Sequence, residues 1–525
     1  MVQYLNNNVS GFQQFSQMRA ANDNKEPKKG FGFMGWILIF ILIYWIFYPS
    51  KKNEAPIQTA EIEHIDISDV PRRTLADDKI TATVQGLRIS NINLTDYKAE
   101  KGEVENIELL SDEKEFIEIG LLADGTNVPR ANTLWKTSKS TDFDKMRWGA
   151  AAGVSFTRDI KTSGDYVITV SDEIKNNSKK AIFVSQYSRI VRHGDQKNKL
   201  SVKTGGIANA NGEIENESWG EITDNPPIYQ IRGDQASFVG FTDQYWETIA
   251  SSAQPSDKTI KIKRRADGLF QADVAPEYLK VEAGKSATLT THIFAGPKTQ
   301  DALAIVGDRI QNIDGTLDYG TFGFLSRPFL WSLGKLHDLI PNYGIAIILL
   351  TLIIRALMWP LTKKSYKSMA AMQKIQPEMQ RVQKLYADDK LRMQQEIMRL
   401  YQTHKANPLS SIGTLLLQIP ILFALYKALL IAVPLRHAGF LWLDDLSVMD
   451  PFFMLPLLMA ATMFLQNRLS HNAQSDMPGM KVMKYMPLVF AGLFAVMPSG
   501  LVLYWTVSSI VGIIQMVIMK KGGKS

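Results

Sequence analysis

The stretch AIILLTLIIRALMWPL (residues 346–361) carries one charge, Arg355, in an otherwise apolar run. Counted from Tyr343, Arg355 lies twelve residues in, ~18 Å along a helix at the usual rise. An arginine there costs ~2.5–3.5 kcal/mol on insertion scales, so it should face a polar or water-filled interior. The simpler account is snorkelling to nearby headgroups, ~9 Å away along the helix.

Working outward, four further apolar segments follow, at about 412–433, 451–465, 485–497 and 501–519. Pro498, Ser499 and Gly500 read as a tight break that makes the last two a hairpin. A sixth segment, FGFMGWILIFILIYWIFYP (residues 31–49), is uncharged and follows Lys25, Lys28 and Lys29. It lacks a small-x-small cleavage site, so an uncleaved anchor is preferred to a signal peptide. Residues 363–407 hold ten Lys+Arg and four Asp+Glu, residues 435–450 one Arg and three Asp, and residues 468–484 three basic residues and one acidic. Basic loops alternating with an acidic one imply six spans with both termini in the cytoplasm.

Residues 61–318 contain 32 Lys+Arg and 40 Asp+Glu, net −8 in a chain of net +7. The remainder is therefore +15, a basic membrane part suited to anionic lipid and to RNA-rich machinery such as ribosomes. The acidic part is rich in alternating β-branched and aromatic runs, such as DYVITVSDEI (165–174) and SATLTTHIFAG (286–296). They predict a large antiparallel β-sandwich over 61–324, outside the cytoplasm if the anchor is oriented as above. The remaining expected divisions are a disordered tail 1–30, a linker 50–60 and a basic tail 520–525.

Leu325, Phe329, Leu333, Leu336 and Ile340 recur at helical spacing opposite Arg327, Lys335 and Asp338. They predict an amphipathic helix lying in the membrane surface at 325–340, or else a helix facing the β-domain core. In the basic loop, Met369, Met372, Ile375, Met379, Val382 and Leu385 step by three or four. After a turn at Ala387-Asp388-Asp389-Lys390, Leu391, Ile397, Met398 and Tyr401 continue the pattern. This predicts a helical hairpin, 363–407, with an apolar seam. Its basic exterior, Lys363, Lys364, Lys367, Lys374, Arg381, Lys384, Arg392 and Arg399, either recruits a ribosome or partner or is only a solvated face.

Other polar positions fall within the apolar runs: Thr351 one turn before Arg355, Gln418 after Thr414, Thr462 with Gln466, and Tyr504 with Ser508 and Gln515. Singly, each is explained by a helix–helix hydrogen bond. Together they suggest a modestly polar interior with one fixed positive charge. Lys427, nearer the outer end of its span, is expected to snorkel. Seventeen of 21 Met follow Arg355, which suits either adaptable apolar surfaces or ordinary membrane packing.

No cysteine is present, which excludes disulfides, Fe–S clusters and thiol catalysis. HExxH, GxSxG and paired intramembrane Asp are missing, and the seven His show no metal-ligand spacing. The final Gly-Gly-Lys-Ser is half a phosphate loop without its strand or helix. No enzyme activity, metal or cofactor is expected.

The Arg355 span, PLTKKSYKSMAAMQKIQPEMQRV (360–382), NPLSSIGTLLLQIPILFALY (407–426), MPSGLVLYW (497–505) and LDYGTFGFLSRPF (317–329) together resemble the YidC insertase family of Gram-negative bacteria. The resemblance covers essentially the whole chain and is most specific over 317–519. It implies an α-helical polytopic membrane protein of six transmembrane helices, with a five-helix insertase core over 341–519, a periplasmic β-supersandwich and the cytoplasmic hairpin. It further implies a hydrophilic groove open to cytoplasm and lipid, whose arginine falls on Arg355 and whose substrate-contacting threonine falls on Thr351. A substrate-contacting aromatic falls on Trp505, where relatives often carry tyrosine, so a hydroxyl role there is in doubt. The implied activity is insertion and folding of inner-membrane proteins, alone or beside the Sec translocon. The partners would be nascent chains, the ribosome and the signal recognition particle receptor. Two rival readings remain at this point: a secondary transporter for an anionic solute, lacking the usual repeats and coupled ionisable residues, and an anchored sugar- or peptide-binding module, which leaves Arg355 unexplained.

Overall fold

A computed structural model describes residues 66–522 except 112–113, 138–144, 150–152, 195–201, 234, 236, 405–408 and 471–485. The expected tail 1–30, anchor 31–49 and linker 50–60 lie outside those residues.

Alternation of apolar and polar residues builds two antiparallel sheets. Ile80–Gln85, Val154–Thr162 and Lys258–Arg264 each bury every second side chain, as a strand with one face on a core must. Ile80–Gln85 and Arg88–Lys98 are joined by a turn at Gly86, whose φ of +63° and 2.2 Å approach of a notional Cβ to the Ala131 carbonyl oxygen require glycine. One sheet has ten strands, with Phe116–Asp124, Ile182–Arg192 and Phe270–Pro276 adjacent at its centre. The other has nine, with Trp246–Ser252, Ser286–Pro297 and Val167–Asn176 at its centre. Ile89, Ile92, Ile117, Ile249, Ile293 and Phe294 fill the space between them.

Trp246–Ser252 is buried along its whole length. Its outer face is covered by a short helix Gln300–Val306 and the residues after it, so Leu303, Ile310, Ile313 and Leu317 join the same core. Ile431 and Val433, from far along the chain, complete it. Beneath this cover Glu247 accepts from Thr316 Oγ1 at 3.0 Å, and Lys298 Nζ donates to Thr242 Oγ1 at 2.8 Å. Burial pushes the Glu247 carboxyl up to about 7, against the opposing pull of Lys298, Thr316 and Thr242. The folded state therefore holds a proton that the unfolded chain loses near 4.5. The resulting stabilisation is full below that pH and is lost as pH rises through about 7. We predict a loss of about 1–3 kcal/mol across this window. Glu247→Gln should flatten the dependence. Thermal unfolding of the full-length chain at several pH values checks it, and an unchanged slope in the variant would refute the assignment.

Eight helices form the rest of the described chain. They are α1 (Gly323–Leu339), α2 (Tyr343–Leu357), α3 (Trp359–Leu385), α4 (Lys390–Thr403), α5 (Leu409–Ile431), α6 (Met454–Ser470), α7 (Met486–Phe494) and α8 (Ser499–Gly522). The residues expected to break the final hairpin partly join α8, because Ser499 and Gly500 open the helix after Pro498. Among the described helices, Ser499–Met519 is long and apolar enough to cross a membrane unaided. Tyr343–Leu357 and Trp359–Ser368 pass the same test as a pair bent by 57°. The break falls at Met358, and Pro360, which lacks an amide hydrogen, sits in the first turn of the next helix, where that hydrogen would have no intrahelical partner.

α1 packs mainly against α2 and α5: Leu333 is buried among α2, α5 and α8 residues, with Phe329 and Leu336 around it, while Leu330 also touches the sandwich core. Phe324, Trp331 and Leu339 stay exposed on its other side. α3 and α4 touch through Ile375, Met379, Ala371, Ile397, Leu400 and Tyr401. This seam is shorter than the sequence pattern suggested, since Leu385, Leu391 and Met398 are exposed. Leu385 and Leu391 flank the turn, and Met398 faces away from the seam. The side chains of Met369 and Met372 lie outside the described residues.

Candidate functional site

α8 presents Tyr504, Ser508 and Gly512 at intervals of four, a single stripe along one face. α2 brings Arg355 to this stripe, where its Nε donates to Ser508 Oγ at 2.8 Å. Among the described residues no carboxylate lies near enough to influence the Arg355 charge; Tyr504 and Tyr366 are its titratable neighbours. α5 brings Gln418, whose Nε2 donates to Tyr504 Oη at 2.9 Å. A Cβ at Gly512 would sit 3.3 Å from Gln466 Nε2 and 3.8 Å from an Arg355 terminal nitrogen, so the glycine leaves room for both. α3 adds Tyr366, its hydroxyl donating to the Gly512 carbonyl at 3.4 Å.

Arg355, Ser508, Tyr504, Gln418 and Gln466 are thus brought together, as a half-buried cation among neutral hydrogen-bonding groups. A lone guanidinium in such surroundings retains donors for an incoming anion or carbonyl. Gly512 and Tyr366 went unnoticed in the sequence. The glycine had a signal, its place one turn after Ser508 on a helix contact face. Tyr366 had none, because only the bend at Met358 swings it toward α8.

The other expected residues are placed differently. Thr351 is fully buried and donates to the Ile347 carbonyl of its own helix at 2.7 Å, as a membrane threonine does when no better acceptor is near. Thr462 does the same to Met459 at 2.8 Å. Gln515 is buried, and its Oε1 has no hydrogen-bond partner among the described residues. Trp505 is apart from Arg355. One residue further along α8 turns it ~100° from Tyr504, into an aromatic cluster with Phe490 and Phe494 at 5.9 and 5.3 Å. Leu352, Ile353 and Leu357 on α2, and Ile510, Ile514 and Ile518 on α8, are exposed. Such apolar rows suit lipid or an apolar segment.

Lys363, Lys364, Lys367, Lys374, Arg381, Lys384, Arg392 and Arg399 are all exposed on α3 and α4. Lys427 corrects its expectation. It does not reach for headgroups but pairs with Asp318 at 2.7 Å, with both side chains largely buried.

Two family models match the chain: the YidC periplasmic domain over residues 73–332 and the 60Kd inner membrane protein over residues 335–525. The membrane protein insertase YidC of Magnetococcus marinus is 36% identical over 412 residues, covering 75% of this chain and 72% of the relative. That of Aeromonas hydrophila is 32% identical over 545 residues, covering 94% and 97%. A crystal structure of an active YidC insertase with its first transmembrane domain resolved aligns with 92% of this chain and 98% of its own, at 18% identity and a TM-score of 0.37. The two models together span nearly everything from residue 73 onward, and the sequence relatives match across both parts; the chain belongs to the YidC family of membrane protein insertases.

Proposed function

We propose that the chain inserts hydrophobic segments of nascent proteins into the inner membrane through the Arg355 site, acting as a groove. The observation that carries this reading is the Arg355–Ser508 contact without a nearby carboxylate among the described residues. A cation kept among neutral donors and acceptors lowers the cost of bringing a short polar or acidic tail out of water. The attached apolar segment then slides over the exposed rows of α2 and α8, and hydrophobic partitioning drives it into lipid. Thr351, Thr462, Gln515 and Trp505 line or support the path rather than bind the charge.

In this reading the chain has six spans with both termini in the cytoplasm and the β-sandwich in the periplasm. The basic faces of α3 and α4 receive the ribosome or the signal recognition particle receptor and touch anionic lipid. The chain works alone or beside the Sec translocon, and the same groove lets it chaperone segments that fold later. The transporter reading is not favoured, since the relatives that the chain matches are named as membrane protein insertases.

The test is insertion of a single-span substrate with a short acidic tail into liposomes holding the purified protein, scored by protease protection. Insertion above that of empty liposomes is expected. Equal values, with the protein shown to be folded, would overturn the proposal.

A further inference from the structure

The junction LDYGTFGFLSRPF (317–329) takes no part in the groove, yet almost every residue in its first half is engaged. Asp318 Oδ2 meets Lys427 Nζ of α5 at 2.7 Å. Gly320, at φ +69°, lies on the lysine stem, where a Cβ would come within 3.2 Å of Lys427 Cγ. Phe322 stacks on Phe423, one turn earlier on α5, with centroids 6.4 Å apart. Tyr319 Oη accepts from Gln300 Nε2 at 2.9 Å, which ties the strap back to the sandwich.

The outer end of α5 is held from other sides as well. Gln244 Nε2 donates to the Leu430 carbonyl at 2.9 Å, and Ile431 and Val433 enter the sandwich core. Arg436 donates to the carbonyls of Lys98 (2.8 Å) and Ala99 and lies over the Trp246 ring. These backbone and apolar contacts fix where the helix ends. The Asp318–Lys427 pair is the charged contact on the helix itself, about one turn in from that end. α5 also carries Gln418, nine residues before Lys427 or ~13.5 Å along the helix, and Gln418 bonds Tyr504 beside the arginine. A rotation of α5 about its axis would therefore move both contacts together.

We propose that Asp318 and Lys427 form a latch through which the β-domain sets the rotation of α5 and so holds Gln418 against Tyr504. Both are positioning residues for insertion. This rests on the groove reading above.

A double-mutant cycle tests it in the liposome assay with the full-length chain. Lys427→Met should lower insertion by about three- to tenfold in the wild-type background, and much less in a Gln418→Ala background where there is nothing left to position. The reversed pair, Asp318→Lys with Lys427→Asp, should recover most of the loss. Removing one partner leaves a largely buried charge alone, which can unfold the chain. Asp318→Asn with Lys427→Met avoids that and should still show the loss at an unchanged melting temperature. Equal losses from Lys427→Met in both backgrounds, or full insertion by the neutral double variant, would overturn the latch. Arg355→Ala run alongside separates the two ideas. If it lowers insertion while the latch variants do not, the groove stands and the latch falls. If the wild type gives no insertion above empty liposomes, the groove reading falls first.

Discussion

Arg355→Ala should lower insertion of a single-span substrate with a short acidic tail by about tenfold or more. The estimate follows from the environment. Hydrogen bonds to a charged group contribute about 1.5–3 kcal/mol, and about 1.4 kcal/mol is a factor of ten. The guanidinium spends one N–H on Ser508 and lies among neutral neighbours. The loss should depend on the passenger. An acidic tail gains a charge-assisted bond and loses most, whereas a neutral tail gains only ordinary hydrogen bonds. Arg355→Lys should fall between, since an ammonium keeps the charge but not the planar fork. Protease-protected product from both substrates, measured for wild type and both variants, checks this. Equal yields from wild type and Arg355→Ala would leave the insertase family intact but make Arg355 a packing residue.

Arg158→Ala should destabilise the β-domain by about 3–5 kcal/mol, the usual cost of leaving one partner of a buried pair alone. Arg158 and Asp172 face each other across neighbouring strands, joined by two hydrogen bonds of 2.8 and 2.7 Å, and are 1% and 0% exposed. Gln186, on the opposite sheet, donates to the same carboxylate at 2.7 Å and accepts from Thr291 Oγ1 at 2.8 Å. The network therefore crosses the sandwich, and the charge left on Asp172 would have Gln186 as its remaining side-chain donor among the described residues. Domains are typically stable by about 5–15 kcal/mol, so the loss is a large share. Arg158→Met with Asp172→Leu should cost much less, because no charge is stranded. Urea unfolding of the full-length chain, with hydrogen exchange followed on Val154–Thr162, distinguishes the two. Equal stability of Arg158→Ala and wild type would show that the pair contributes nothing net.

Much of the architecture was legible locally. A helix within lipid must satisfy its backbone internally and meet apolar surroundings, so long uncharged runs mark such segments without knowledge of their neighbours. Strand alternation did the same for the sandwich, because one face of each strand meets the core. Arg355 stood out by its cost alone. The limits appear where neighbours decide. Leu385, Leu391 and Met398 keep the seam's period yet lie outside it, since periodicity cannot tell which residues a facing helix covers. Thr351 shares Arg355's face, but its hydroxyl is taken by its own helix. Trp505 and Tyr504 are adjacent in sequence and serve different neighbours, because one residue turns a helix by ~100°.

What the sequence determined by itself was therefore composition along the chain: which segments are apolar, which alternate, where the charges sit, and which family the whole resembles. Tertiary structure alone decided the pairings. Arg355 meets Ser508 across 153 positions, Gln418 meets Tyr504 across 86, and Lys427 meets Asp318 across 109. The physical reason is range. Secondary structure and burial follow from neighbours within a turn or a strand repeat. A hydrogen bond or ion pair fixes two groups to within ~3 Å, and only the packing of whole helices and sheets brings distant residues that close.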